Sequence, residues 1–489
     1  MRLDDLVENL CALNYLWRST ALALWEGKTP LLKPHMIYDG YEAVFDRRNL
    51  DVIDALTNGS ARMRLKHALI EHHLQRALLP HEMEMRTWMR GAAAHVMGEK
   101  IYFRDIIPWC QKSSTYGKRK ILEKETSALC KFLRPFAINY WQVLMDRLGV
   151  EFGYGNYIDF CRGKKGIDYE QHYRRLRVFL QDTDALYFSA MEEWTRRRFG
   201  KPPGDLNRFD AIHLLGFSEF DVLLEKFSVE GLTSFFHYWD MDIQSMPGLH
   251  LELGMEEDKS SQAMCFVLKV PEEVHIVMKP AGGWIDLETL WHELGHGFFA
   301  VFTSPDLPVV DREFNTSHSL SESFAFLLQN MTLSPPLLEG FLGLKPAASR
   351  TLAYHKALKD LYSFRRYGAK FMAEYDMFQR GDFSDGRPYA EIMARYTGFA
   401  HQPESHLFDL VPEFYSLDYI LGWMAEASME TFLRGRLGSR WIFQTKTAHV
   451  LRAWWDQGNQ YELPVFLKEN HLAPPGSDRL RARWEAILN

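Results

Sequence analysis

The stretch DLETLWHELGHGFF, residues 286–299, carries His292, Glu293 and His296 within one turn and a half of an expected helix from about Leu287 through Phe299. Asp286 is placed to cap its start, and Glu288 suits the positive end of the helix dipole. Residues four apart lie on one helix face, so the two imidazoles can share one ion. Zinc takes neutral imidazole nitrogen at about 2.0–2.1 Å, and a catalytic site needs three protein ligands and one open position. One ligand is therefore missing from this run. Glu293 points beside the ion, where it can take a proton from water. Gly295 and Gly297 each cost a helix about 0.8–1.0 kcal/mol relative to alanine, which makes sense where backbones pack closely. The flanks Leu290, Trp291, Phe298 and Phe299 are apolar, so three ionisable side chains sit on a helix that otherwise reads as buried. Unpaired, they would be costly there, and metal binding explains them better than an accidental match.

Downstream, residues 317–328 read SHSLSESFAFLL. Phe324, Leu327, Leu328 and Met331 form a stripe that would pack a second helix against the first. Glu322 on that helix is a candidate third ligand. Ser319 with Glu322 also has capping-box spacing, and His318 is a competing ligand. Upstream, 249–279 is strand-like. Cys265 to Val270 and Val274 to Met278 are separated by Pro271, Glu272 and Glu273, which reads as a hairpin closed off by Gly282 and Gly283. From Met1 to about Phe199 the apolar spacing is helical, as in Leu65, Ala68 and Leu69. The cluster GKPPGD at 200–205 breaks the pattern, and a second helical stretch runs to about Met246. The expected fold is mostly α with one small β-sheet. The expected division is a helical lobe at 1–204 and a catalytic region at 205–489, some of whose last helices pack into the other lobe.

Composition excludes several classes. The 489 residues are enough for a large core, and 46% apolar with 25% charged is the balance of a globular protein. A net charge of -7 provides no field for nucleic acid or an anionic membrane. The basic runs at 118–120 and 196–198 read as solvated faces. Five cysteines without a CxxC pair signal neither a disulfide framework nor a cysteine zinc site. The first residues include Asp4, Asp5 and Glu8, unlike a secretory signal, and no apolar run approaches the roughly 20 residues of a membrane helix. The expectation is a cytoplasmic protein with reduced thiols.

The run from Cys265 through Ala325 resembles the thimet oligopeptidase and oligoendopeptidase F family of zinc peptidases. The similarity rests on the hairpin, KPAGG at 279–283, LWHELGHG at 290–297 and the Glu322 helix with Ala325-Phe326-Leu327. GYGNY at 153–157, FRRYGAK at 364–370 and FYSLDY at 414–419 with Gly422-Trp423 extend it over about residues 150 to 470. The resemblance implies a bilobed helical body enclosing a deep channel, one Zn2+ held by His292, His296 and Glu322, and hydrolysis of short peptides. It also implies that Tyr415 and Tyr419 face the metal and stabilise the oxyanion. Without it, two tyrosines four apart on an apolar helix read as core aromatics. Two positions depart from the family: Asp409 stands where many relatives have a histidine, with His401 and His406 nearby, and Gly422 stands where longer relatives have a third tyrosine. The related carboxypeptidase Taq family gives an alternative activity, for which Arg365 or Arg366 would hold a free carboxylate. A non-catalytic scaffold with an inherited metal site is a further alternative. The strand at Val274–Met278 is expected to offer substrate an edge.

Overall fold

The computed structural model describes residues 1–28, 35–112, 115–256 and 258–489, with His35 and Met36 as backbone only. Residues 29–34, 113–114 and 257 fall within the stretches read above as helical or strand-like and lie outside the described residues. The amino-terminal part is built from long helices, Leu3–Trp25, Gly59–Gly91 and Tyr116–Phe152. Their ends follow local chemistry. The Asn58 side chain accepts from the backbone N–H of Ser60 and Ala61, and Tyr116–Phe152 stops at Gly153 in the left-handed region at φ 72°. Gly200, at φ 70°, ends the helix Asp184–Phe199 at the breaker cluster. The principal core nevertheless draws apolar side chains from both sides of that cluster, from Ile70 through Leu488.

Two small sheets interrupt the helices. The first, not anticipated, is a hairpin of β1 (Ala93–Val96) and β2 (Glu99–Tyr102), turning at Met97 and Gly98, both with positive φ. Its strands of four residues are too short to show a period of two against the flanking helices. The second contains β3 (Leu249–Glu252), β4 (Met264–Lys269) and β5 (Glu273–Val277) in the order β3-β5-β4. The expected hairpin is β4 and β5, antiparallel, with Cys265 opposite Ile276. β3 pairs parallel to β5 on its other side, Leu249 opposite Val274. The strand expected to offer an edge is thus the centre of the sheet. β4 is the edge strand nearer the motif, and its Val267 carbonyl accepts from Arg18 of the first helix at 3.0 Å. Among the described residues, no helix is long and apolar enough to cross a membrane.

Three helices after the sheet position the site. The motif helix (Trp284–Val301) packs on β4 and β5. The glutamate helix (Ser319–Asn330) lies between it and the tyrosine helix (Tyr415–Leu437). Glycine sets the approach on both faces. A Cβ on Gly295 would meet Ala325 Cα at 2.5 Å, and one on Gly422 would meet Glu322 Cβ at 2.6 Å. A tyrosine at Gly422, as the resemblance would place one, has no room here.

Candidate metal centre

The motif helix begins earlier than expected and is capped differently. Its first turn starts at Trp284, after Gly283 at φ 84°, and the Trp284 N–H donates to Asp221 Oδ1 at 2.9 Å. Asp221 is itself held by Lys112 Nζ at 2.6 Å. Asp286 is not the cap. It sits inside the first turn and reaches back to accept from Ala281 N and Gly282 N at 3.0 and 2.7 Å, because the double glycine lets the chain turn into the helix three residues sooner. Glu288 does more than face the dipole. It is buried against Lys356 at 3.0 Å and paired with Lys359, both on the long helix Pro346–Arg380, which fixes the motif helix from behind.

On the opposite side of that helix, His292, His296 and Glu322 converge, with ligand atoms all within 4.8 Å of one another. His292 Nε2 lies 3.5 Å from Glu322 Oε2, and His296 Nε2 lies 3.6 Å from Glu322 Oε1. A tetrahedral centre with bonds of about 2.0–2.1 Å separates its ligand atoms by roughly 3.3–3.4 Å, close to the spacing of the carboxylate from each imidazole. His292 Nδ1 donates to Gln329 Oε1 at 2.9 Å, and Ser321 Oγ lies 2.7 Å from His296 Nδ1. Both Nε2 atoms are thereby left facing the carboxylate. Burial keeps His292 neutral, its pKa drawn down to about 4, and pulls His296 well below the ordinary imidazole value. Neutral imidazoles are the form that binds metal.

Glu322 is fully buried, and its Oε2 has no hydrogen-bond partner among the described residues. Burial pushes its carboxyl well above the usual range, against a hydrogen bond from Tyr415 Oη to Oε1 at 2.5 Å. A buried carboxylate whose Oε2 lacks a partner and faces His292 Nε2, and whose Oε1 faces His296 Nε2, forms with the two imidazoles a donor set that a divalent cation completes. The histidine side chains keep 14% and 16% exposure, so the group is open on one side, and no fourth protein ligand joins it among the described residues. The capping alternative for Glu322 does not hold: the residue preceding the helix is His318, without a side-chain cap. His318 lies apart from the ligand group. Its ring packs on Tyr415 at 5.1 Å, and its Nδ1 contacts Asn315.

Glu293 is buried one residue past the first ligand. Burial drives its carboxyl up to about 7, moderated by a hydrogen bond with the Cys265 backbone of β4. The two tyrosines differ. Tyr415 is committed to Glu322. The Tyr419 hydroxyl has no hydrogen bond among the described residues; its ring stacks on Tyr367 at 4.7 Å and faces His292 at 6.3 Å. Behind them, Asp418 is buried and accepts from Lys165 Nζ at 2.6 Å and Ser317 Oγ at 2.9 Å. The Tyr157 hydroxyl accepts the Glu413 N–H at 2.6 Å, so the segment 153–157 supports the turn that launches the tyrosine helix.

Sequence reasoning did not single out Gln329, Ser321 or Tyr367 as site residues. Gln329 had one usable signal, since it follows Glu322 by seven residues and so shares its helix face. The cations expected for a carboxypeptidase are otherwise engaged. Arg365 is fully buried, bonded to Tyr396 O, Leu180 O and Asp184, and Arg366 pairs with Asp409 at 2.6 Å. Asp409 takes no part in the ligand group. His406 is buried, with both ring nitrogens on backbone carbonyls.

No protein-family model and no curated protein sequence matches the chain. Solved structures do. PZ peptidase A with an inhibitor aligns at a TM-score of 0.65 and 14% identity, over 92% of this chain and 85% of that one. A structure described as an oligoendopeptidase F aligns at 0.62 and 14%, over 93% and 83%. Another so described, from Bacillus anthracis str. Ames, aligns at 0.55 and 13%, over 96% and 81%. At this identity the likeness establishes a common fold.

Proposed function

We propose that this chain is a zinc-dependent peptidase acting on short peptides, with His292, His296 and Glu322 holding one ion and Glu293 as general base. The observation that carries the reading is the buried Glu322 carboxylate, one oxygen of it unpartnered, whose two oxygens face His292 Nε2 and His296 Nε2 on a site open at one side. The fold shared with structures described as peptidases favours peptides as the substrate class. When bound, zinc would supply Lewis acidity to a scissile carbonyl and make water easier to deprotonate. Glu293 takes the proton from the attacking water and delivers it to the departing amine nitrogen. Tyr419, with its hydroxyl uncommitted, donates to the oxygen that gains charge at the tetrahedral carbon. Tyr415 holds Glu322 in place. β4, an edge strand whose Cys265 backbone already touches Glu293, is the strand along which an extended substrate adds.

The test is hydrolysis of an internally quenched peptide library with and without chelator. Wild-type protein is expected to cleave only with metal present. Glu293→Gln should keep its zinc and lose roughly 10²–10⁴-fold in rate. Cleavage that survives chelation contradicts the metal, and a Glu293→Gln protein at the wild-type rate contradicts the base.

A further inference from the structure

We infer that the large cavity beside the metal centre contains a carboxylate subsite at Arg208, which receives the free carboxyl end of a peptide; this rests on the peptidase reading above. The cavity measures about 760 Å³, large enough for several residues of an extended chain. None of the three candidate metal ligands lines it, but two of its walls continue along the chain toward residues that touch the centre. Arg366 on its wall precedes Tyr367, whose ring stacks on Tyr419 and so leads to His292. Ser260 and Gln262 on another wall run directly into β4, whose Cys265 meets Glu293.

The cavity's charge opposes that of the whole chain. Five arginines and three carboxylates line it, within a protein of net charge -7. Most of these arginines are engaged, as Arg366 is by Asp409 and Arg86 by Glu82. Arg208 is different. It is half-buried, its guanidinium lies over the Phe209 ring at 5.1 Å, and among the described residues its side chain makes no hydrogen bond or ion pair. Asp409, whose acidity its charge helps to set, is hydrogen-bonded by other donors instead. Oδ1 already accepts from Arg366 at 2.6 Å, and Oδ2 from the Tyr389 hydroxyl at 2.8 Å. Five N–H donors in a planar fork match a carboxylate. Half-buried without one, they forgo bonds that water alone supplies less well.

The surroundings select among anions. Burial, reinforced by Arg208, keeps the neighbouring His401 neutral, and Arg366 and Arg86 are paired with Asp409 and Glu82, so at Arg208 a single positive charge faces the cavity with no paired carboxylate among the described residues. That suits a single negative charge better than a phosphate dianion. The remaining wall is largely apolar, with Ile106, Phe209, Ile212 and Phe408. The occupant that fits is a chain terminus with a free carboxylate and an apolar last side chain.

Three peptides test this: a free acid with an apolar last residue, its amide, and the same amide with its last residue replaced by Glu. With zinc-loaded wild type, kcat/KM is expected to favour the free acid over the amide by at least about 10-fold. The ratio should fall to near one in Arg208→Met and be partly kept in Arg208→Lys, which guards against loss of fold. Calorimetric binding of a dipeptide acid and its amide to Glu293→Gln, with and without Arg208→Met, gives the same comparison without turnover. Equal rates for acid and amide in wild type, or a preference that survives Arg208→Met, would overturn the subsite. Equal use of the Glu-ending amide would overturn its assignment to the chain terminus. Cleavage of none of the three would instead strike the peptidase reading, and the calorimetric comparison would still decide the subsite.

Discussion

Glu322 and the side chains that aim at it determine what the centre can hold. Replacing Glu322 by alanine removes one of the three proposed ligands, and zinc retention after dialysis is expected to be lost, as measured by elemental analysis; a full zinc equivalent would exclude it as a ligand. Gln329 acts at one remove, by fixing the His292 ring through Nδ1. Gln329→Ala should weaken zinc by roughly 10–100-fold in a chelator competition, with no change in circular dichroism. An unchanged affinity would mean that the ring is oriented by packing alone. The two histidines and Glu293 were legible in the sequence because their relation is set within one helical turn. Glu322 lies 26 residues beyond His296, so spacing alone left it level with a helix cap and with His318. The tyrosines were harder still. Which phenol is committed and which is free depends on where Glu322 Oε1 points, a fact of packing that no periodicity carries.

At the level of elements, the site exists because three helices approach closely at glycines. Gly295→Ala places a methyl group 2.5 Å from the backbone of the glutamate helix, and Gly422→Ala places one against Glu322 itself. Each is expected to lower stability by about 1–3 kcal/mol in denaturant unfolding, the usual cost of overpacking, and to weaken zinc binding. A neutral Gly295→Ala would mean that the helices are not in contact there. The Glu288 pair has a pH signature. Burial alone would raise its carboxyl, but Lys356 and Lys359 outweigh burial and hold it at about 2. A depressed folded value contributes stability that is present above the unfolded value of about 4.3 and lost as pH falls through the folded one. Glu288→Gln should therefore cost about 3–5 kcal/mol at pH 7, and less as pH drops from about 4 toward 2; a cost independent of pH would contradict the pairing. The hairpin of β4 and β5 was legible from its two apolar runs and the proline between them. Its place in the sheet was not, because β3 joins β5 from an earlier segment. Alternation records which face a residue takes, not which strand lies beside it.

For the molecule as a whole, the proposed zinc site would couple metal to fold. Ordered ligands in the folded chain bind zinc better than a disordered chain does, so saturation at about 100 times Kd should add about 2.7 kcal/mol to stability. Thermal unfolding should move up with zinc and down with chelator, and the shift should vanish in Glu322→Ala. Helical class and the position of the sheet were legible from periodicity over hundreds of residues. The shared core, which joins Ile70 to Leu488 across the breaker at 200–205, was not, since a glycine-proline cluster marks a turn whether or not the flanking segments pack together. The most direct test of the central claim is a crystal grown with zinc and measured at the zinc absorption edge. A single anomalous peak about 2.0–2.2 Å from His292 Nε2, His296 Nε2 and a Glu322 oxygen, with no fourth protein ligand, is the expected result. A map without that peak, or a zinc ion enclosed by four protein ligands, would contradict it.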